Sequence, residues 1–473
     1  MKLLLLSDLH YNSNGISKIP ERKVKFGVEI LKRIIRRISE KKIDVIIIGG
    51  DLLDDGKSPD VEKDYSEIKR ILQESNFKGI LVAPGNHDFD LDRFKKFFKE
   101  YKFLIYDEFL FYVFYDKYYE DERCYRDESE IEVFEKIIKD NPGKKVIVIQ
   151  HYIIQPEIKS DYPFNINYSE KIHNLYRKNN VFLSISGHYH RGINLFNKDG
   201  IYYFVLPAVC EEPFNYFELE IGSDIKIKEG ILKNNIEIID HHCHTEFGYC
   251  AEDVSMEKVI ERCNLFGVKK IYFTEHAGQL YLSPDDYWNF KFFNNTSLIK
   301  KQREENKDRI GEYVKRFKLL NSPIGGIGLE VEIDKEGNIT LLEEDRNFFE
   351  ILIGAVHYLP EEMCVSKNIT IKNFLWAVEK LVENRINILA HPFRFFFRKK
   401  IETPKEIYKD VIKILKDGNV KAEVNFHHYY PEKEFFKMCR EEEVEIVFGS
   451  DSHNLIDIGE FSEYIKFIKE ISS

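Results

Sequence analysis

Short apolar runs recur along the first half of the chain, and each stops at a polar or glycine-containing stretch. They lie at 2–6 (Lys-Leu-Leu-Leu-Leu), 43–49, 79–83, 145–150 and 181–186. Uninterrupted runs this short read as strands buried in an α/β sheet. Between them, helical periodicity appears near 23–41, 60–75, 91–99, 128–139 and 168–178. In the first of these, Val28, Ile30, Leu31, Ile34, Ile35 and Ile38 form the apolar face. Lys32, Arg33, Arg36 and Arg37 then read as a solvated face rather than as contacts to phosphate backbones.

From 193 to 233 the pattern changes to strands at 193–196, 201–206, 216–221 and 225–232, separated by turns at 197–200 and 222–224. This reads as a β meander closing a first domain over 1–233. Lys233-Asn234-Asn235 reads as a tight junction rather than a flexible linker. A second domain, 236–473, opens a new β/α series with strands at 237–241, 269–274, 325–333, 350–356, 386–390, 420–425 and 444–449. Helices fill most gaps, including a long charged one near 296–320. Seven strands alternating with helices fit a distorted or seven-stranded barrel of the TIM type. The fold class is therefore α/β throughout.

The polar residues that end these strands carry chemistry. In the first domain they are Asp8-x-His10, Gly50-Asp51, Gly85-Asn86-His87-Asp88, His151 and Gly187-His188-Tyr189-His190. Phosphoester hydrolysis by two divalent ions needs the ions about 3.5–4 Å apart and a carboxylate shared between them. Asp8 and His10 sit at a strand end as alternate residues. Asp51 follows a Gly-Gly pair that lets backbone approach closely. Asn86 adds a neutral oxygen, and His151, His188 and His190 add imidazoles. Each element alone is weak, but all five blocks in order, each after an apolar strand, are specific. The second domain repeats the habit with His242-Cys243-His244, Glu275-His276, Glu330, His357, His391 and Asp451-Ser452-His453. These lie at the C-terminal ends of its strands, where barrels build active sites.

The first set resembles the calcineurin-like metallophosphoesterase superfamily over the first 230 or so residues, which implies an α/β/β/α sandwich. The resemblance implies that Asp8, His10, Asp51 and His190 hold one ion and that Asp51, Asn86, His151 and His188 hold another, with Asp51 shared. It makes His87 a phosphate-binding residue or general acid, not a ligand. Ser-Gly-His-Tyr-His-Arg with the closing meander is similar to the class III bacterial cyclic-nucleotide phosphodiesterases, which act on small substrates.

The second set resembles the PHP (polymerase and histidinol phosphatase) family over 236–473. Phe-Thr-Glu-His-Ala at 273–277 looks closest to its histidinol-phosphatase branch. The resemblance implies one ion on His242, His244, Glu330 and Asp451, a second on Glu330, His357 and His391, and a third on His276 and His453. Where the family often has a further His, this chain has Cys250, whose thiolate would favour zinc. Glu275 is expected to orient His276, and Asp240 to steady the first motif. Arg394 is a candidate phosphate clamp. The aromatic stretch 277–294, with Tyr281, Tyr287, Trp288, Phe290, Phe292 and Phe293, is either a lid or a packed loop.

Composition narrows the reading further. The 473 residues carry a net charge of −11 and are 43% hydrophobic. That suits a cation-loaded chain with real cores and argues against a general duplex-DNA binder. Seven cysteines without framework spacing point to a reduced, cytoplasmic protein. No apolar run approaches the ~18 residues of a membrane span. The favoured expectation is a bifunctional metal-dependent phosphoesterase. Its first domain would open a phosphodiester of a small nucleotide-like substrate, with two ions (Mn, Fe or Zn). Its PHP domain would hydrolyse a phosphomonoester, with two or three (Zn, Mn or Fe). The rivals are a DNA or RNA nuclease, a nucleotide sensor in which one site regulates the other, and a histidinol-phosphatase-like second domain. The sequence leaves substrate and oligomeric state open.

Overall fold

A computed structural model describes residues 1–88, 90–119, 121–233 and 235–472. Asn234 of the junction lies outside the described residues. The chain divides into two compact units after Lys233.

The first unit has thirteen strands among the described residues. In chain order they are β1 (Lys2–Leu6), β2 (Val45–Ile48), β3 (Gly79–Val82), β4 (Phe103–Tyr106), β5 (Phe109–Val113), β6 (Lys117–Tyr118) and β7 (Cys124–Tyr125). Then come β8 (Lys145–Ile149), β9 (Val181–Ser186), β10 (Ile193–Lys198), β11 (Ile201–Val205), β12 (Asn215–Ile221) and β13 (Ile225–Ile231). One sheet has the order β13-β12-β1-β2-β3 and the other β10-β11-β9-β8-β5-β4. Within them β1-β2-β3 and β5-β8-β9-β11 run parallel. All four residues of β2 (Val-Ile-Ile-Ile) are buried, as a central strand covered on both faces requires. The architecture is the α/β/β/α sandwich.

Two details depart from the sequence reading. The last four strands do not form one meander. β10 and β11 complete one sheet, whereas β12 and β13 pair in the other. The crossing segment between β11 and β12 bonds to both sides of the ligand loops: Ala208 N donates to His190 O (3.1 Å) and Val209 N to Ser7 O (2.9 Å). Alternating hydrophobicity marks a strand but not its partner, so the switch of sheet leaves no local signal. The expected solvated basic face is also incomplete, because Arg33 is buried and its guanidinium lies 2.8 Å from Glu29.

The second unit is a closed parallel barrel, β14 (Ile238–Cys243), β15 (Val268–His276), β16 (Gly325–Val331), β17 (Ile351–Gly354), β18 (Ile388–Leu389), β19 (Lys421–Val424) and β20 (Ile446–Phe448). Helix Met256–Phe266 starts where the Ser255 side chain accepts from Lys258 N, and it stops at Gly267 with φ +79°. The helix expected near 296–320 is two helices, Leu298–Glu304 and Ile310–Leu320. Asn306 interrupts them with φ +54°. Asp308 then accepts from Ile310 N at 3.2 Å, satisfying an amide at the start of the second.

Two candidate metal centres

In the first unit the candidate residues leave the C-terminal ends of parallel strands from both sheets. Asp8 and His10 follow β1, Asp51 follows β2, Asn86 and His87 follow β3, His151 follows β8, and His188 and His190 follow β9. The loops are tight: Asp8, His10, Asp51 and His188 have φ of +57°, +44°, +48° and +68°. Non-glycine residues adopt this region at a cost of about 1–3 kcal/mol, so it persists only where surrounding structure holds it. At Gly50, φ is +109° and a Cβ would lie 2.4 Å from His151 Nδ1. No side chain fits there.

These loops bring every candidate of the first set together. His190 Nε2 lies 3.4 Å from Asp8 Oδ1 and 3.3 Å from His10 Nε2. Asp51 Oδ2 is 3.6 Å from His10 Nε2 and 3.1 Å from His151 Nε2. Ligand atoms of Asp8, His10 and His190 lie within 4.8 Å of one another, as do those of Asp51, His151 and His188. Asp51 thus stands between two groups. A third group within the same limit joins His87 to His10 and Asp51. His87 Nδ1 lies 2.7 Å from the Asp54 carbonyl, to which it donates, leaving Nε2 toward the cavity. That cavity has a volume of about 450 Å³, and Tyr162, Phe164 and Tyr189 form an aromatic wall.

The barrel site is denser. Glu330 Oε1 is 3.3 Å from His357 Nε2 and 3.0 Å from His391 Nε2. Its Oε2 is 3.6 Å from His242 Nε2 and 2.6 Å from His276 Nδ1. Asp451 Oδ1 is 3.5 Å from His242 Nε2 and 2.9 Å from His244 Nε2. The His244 ring stacks between His276 and His453, with centroids 4.4 and 4.2 Å away, and these three rings present ligand nitrogens within 4.8 Å. Cys250 lines the same cavity of about 430 Å³ as His276 and His453. Its sulfur accepts from Gln279 Nε2 at 3.6 Å, and burial pushes the thiol up to about 12.

Electrostatics favour a cation at both places. Burial alone would lift Asp51 and Glu330, yet the imidazoles crowding them hold both carboxyls well below the usual range. Burial, helped by His151 beside the first and Arg394 beside the second, pushes His188 and His391 down to about 3, which keeps them neutral and able to ligate. Burial opposes protonation of His244 and His357 too, but Asp451 and Glu275 beside the first, and Glu330 beside the second, outweigh it and raise each to about 9. Asn86 Oδ1, His151 Nε2 and His188 Nε2 are buried without a hydrogen-bond partner, and so are His242 Nε2, His276 Nδ1 and Glu330 Oε2. Each such atom costs about 1–3 kcal/mol. All six face the ligand clusters, so the residues present fit divalent cations.

Models of known families align with these two halves. The one for calcineurin-like phosphoesterases matches residues 1–192, and the one for the PHP domain matches residues 240–427. The chain joins a calcineurin-like phosphoesterase domain to a PHP domain. It is a metal-dependent phosphoric ester hydrolase. A relative named "Probable phosphatase" in Clostridium botulinum is 24% identical over 242 residues, which is 50% of this chain and 86% of that one. Another of that name in Thermoanaerobacter is 29% identical over 165 residues, 33% of this chain and 65% of its own. The crystal structure of a dimetal phosphatase from Danio rerio is 14% identical with a TM-score of 0.41, covering 48% of this chain and 95% of its own. No helix among the described residues is long and apolar enough to cross a membrane.

Several residues of the two domains escaped the sequence reading. In the metallophosphoesterase domain Asp54 Oδ1 faces His10 Nδ1 at 3.3 Å, and Glu211 Oε1 faces His190 Nδ1 at 2.6 Å. In the PHP domain Glu423 Oε1 faces His242 Nδ1 at 2.8 Å, and Glu332 Oε1 faces His357 Nδ1 at 2.9 Å. Each carboxylate holds Nδ1, so the ring turns Nε2 to the centre. Glu332 and Glu423 fall within the PHP-like blocks Gly-Leu-Glu-Val-Glu-Ile and Glu-Val-Asn but carried no assigned role, and Asp54 and Glu211 have no sequence signal beyond a carboxylate near a strand end. Glu275 corrects an expectation: its carboxylate holds His244 Nδ1 (3.0 Å), and it meets His276 only at the backbone amide (3.1 Å). Asp240 accepts from His242 N (3.2 Å) and Ser450 N (2.9 Å), steadying two ligand loops.

Arg394 lines the PHP cavity, but Nη1 bonds Asp451 Oδ2 (2.5 Å) and Nη2 bonds Asn425 Oδ1 (2.7 Å). Only its Nε is buried and unspent. The aromatic stretch divides. Tyr281, Phe292 and Phe293 are core, whereas Trp288 and Phe290 reach the cavity together with the buried Tyr287. His427, absent from the sequence reading, also lines it and stacks on His453 with centroids 4.9 Å apart.

Proposed function

We propose that the chain is a bifunctional phosphoesterase with one independent site in each domain. The metallophosphoesterase domain, 1–233, opens a phosphodiester of a small nucleotide-like substrate. The PHP domain, 236–473, hydrolyses a phosphomonoester. The observation that supports this best is the pair of self-contained clusters. Asp51 is approached by His10 and His151 in one, and Glu330 by His242, His276, His357 and His391 in the other.

In this reading Asp8, His10, Asp51, Asn86, His151, His188 and His190 hold two ions of manganese, iron or zinc. His242, His244, Cys250, His276, Glu330, His357, His391, Asp451 and His453 hold two or three. Divalent ions there supply Lewis acidity and a nucleophile available near neutral pH. His87 presents Nε2 to the leaving oxygen and donates a proton to it. The aromatic wall of Tyr162, Phe164 and Tyr189 suits a planar base. In the PHP domain Arg394 and His427 face the phosphoryl group while Trp288 and Phe290 cover the rest of the substrate. Seven free cysteines agree with a reduced, cytoplasmic setting.

The test is a substrate panel on purified full-length protein. It includes cyclic nucleotides, bis(p-nitrophenyl) phosphate, nucleoside monophosphates, histidinol phosphate and labelled oligonucleotides. Turnover of a small diester and of a monoester, each lost on mutating one domain only, is expected. Cleavage confined to oligonucleotides would refute the reading.

A further inference from the structure

Arg22 belongs to none of the motifs, yet its guanidinium lies in the first site. It comes from the loop between β1 and helix Gly27–Ile38. The side chain is 10% exposed. Nη1 is 3.0 Å from Asp54 Oδ1, 3.3 Å from His10 Nδ1 and 3.5 Å from His87 Nε2. Asp54 therefore anchors one corner of the fork, through the same oxygen that faces His10 Nδ1. The rest of the fork is unspent. Nε is buried with no hydrogen-bond partner, and the side-chain hydrogen bonds of Arg22 among the described residues all run through Nη1.

The position is equally informative. Arg22 lines the cavity that holds Asp51, Asn86, His87, His188 and His190. It also lines an adjoining cavity of about 700 Å³ that runs past Asn12 and Asp54 to Pro59. A planar cation with a free Nε–Nη2 edge thus stands where the two meet, beside His87. That edge matches two oxygens of a phosphoryl group.

We propose that Arg22 is the phosphate-receiving residue of the first site, its Nε–Nη2 edge taking two non-bridging oxygens of the phosphoryl group that His87 faces. The proposal rests on reading that domain as a phosphodiesterase. It adds a specificity: the site selects an anionic phosphoryl centre through a fixed guanidinium, with substrate arms extending into both cavities.

The probe is inorganic phosphate, titrated calorimetrically into metal-loaded full-length protein. A Glu330→Gln background keeps the PHP site from contributing. Arg22→Gln is expected to weaken phosphate binding about 10–100-fold, the loss of a charged bidentate contact. Metal content should be unchanged, and kcat/KM on bis(p-nitrophenyl) phosphate should fall in parallel. Arg22→Lys should lie between, since an ammonium restores charge without the fork. Equal phosphate affinity in Arg22→Gln overturns the proposal. So does loss of a first-site ion in that variant, which would make Arg22 a support for His10 through Asp54. A parent protein that binds no phosphate overturns it as well. If phosphate binding depends on Arg22 but no diester is turned over, the proposal stands and the phosphodiesterase reading fails.

Discussion

Glu423→Gln changes one atom of a fully buried side chain and should disable the PHP site alone. Glu423 Oε1 accepts from His242 Nδ1 at 2.8 Å. Oε2 accepts from His391 N at 2.8 Å and Asn425 Nδ2 at 3.1 Å. A carboxylate serves all three donors, whereas an amide has one oxygen. If that oxygen faces His242, the NH₂ group confronts two donors, leaving two buried groups unmet at about 1–3 kcal/mol each. If it faces His391 and Asn425, the NH₂ group meets His242 Nδ1, which must become the acceptor. The imidazole proton then moves to Nε2, the atom expected to ligate. Either way metal affinity should drop about 10–100-fold, as for other residues that orient a ligating histidine. The assay is metal content after dialysis against a competing chelator, with phosphomonoesterase and phosphodiesterase rates measured on the same sample. Loss of PHP metal and monoesterase rate with full diesterase rate is expected. A variant that keeps its metal and monoesterase activity would refute the role given to Glu423.

Three further outcomes are expected. Asp51→Asn should abolish hydrolysis of bis(p-nitrophenyl) phosphate and spare the monoesterase; a parallel loss of both in folded protein would sink the idea of independent sites. His87→Ala should lower diesterase kcat by about 10²–10⁴-fold, the usual share of a general acid. Its bound metal should stay constant by elemental analysis, and a missing ion would instead make His87 a ligand. Cys250→Ser should remove about one equivalent of zinc, because a thiolate ligates where a hydroxyl does not; unchanged zinc would reduce Cys250 to a packing residue.

The ligand blocks were legible because each ends an apolar strand. The chain exits a buried sheet there, and Asp8, Asp51, His151 or Asp451 appears within a few residues. Most of the residues that hold those ligands in place were not legible, Asp240 beside its own motif being the exception. Glu211 serves His190 across 21 positions, and Glu423 serves His242 across 181. Arg22 sits in a loop whose sequence, Ile-Pro-Glu-Arg-Lys, has no periodicity and follows no apolar strand directly. Its role emerges only when the fold sets it beside His87. The hairpin β4–β5 was passed over for a related reason. It is an apolar run that leads to no polar motif, so nothing in the chemistry drew attention to it.

The two domains share no fold, yet they solve one physical problem in the same way. A hydrogen bond that holds the proton on one ring nitrogen of a histidine frees the other to ligate and fixes the ring's direction. In the sandwich, Asp54, the Gly49 carbonyl and Glu211 occupy Nδ1 of His10, His151 and His190. In the barrel, Glu423, Glu275 and Glu332 occupy Nδ1 of His242, His244 and His357. Backbone strain gathers at the same places, with His391 and Asp451 at φ +29° and +54° as counterparts of Asp8 and Asp51. Buried carboxylates, oriented imidazoles and left-handed backbone are each unfavourable alone. Their coincidence around orphaned ligand atoms, twice in one chain, has a common physical cause if each cluster is built to receive cations.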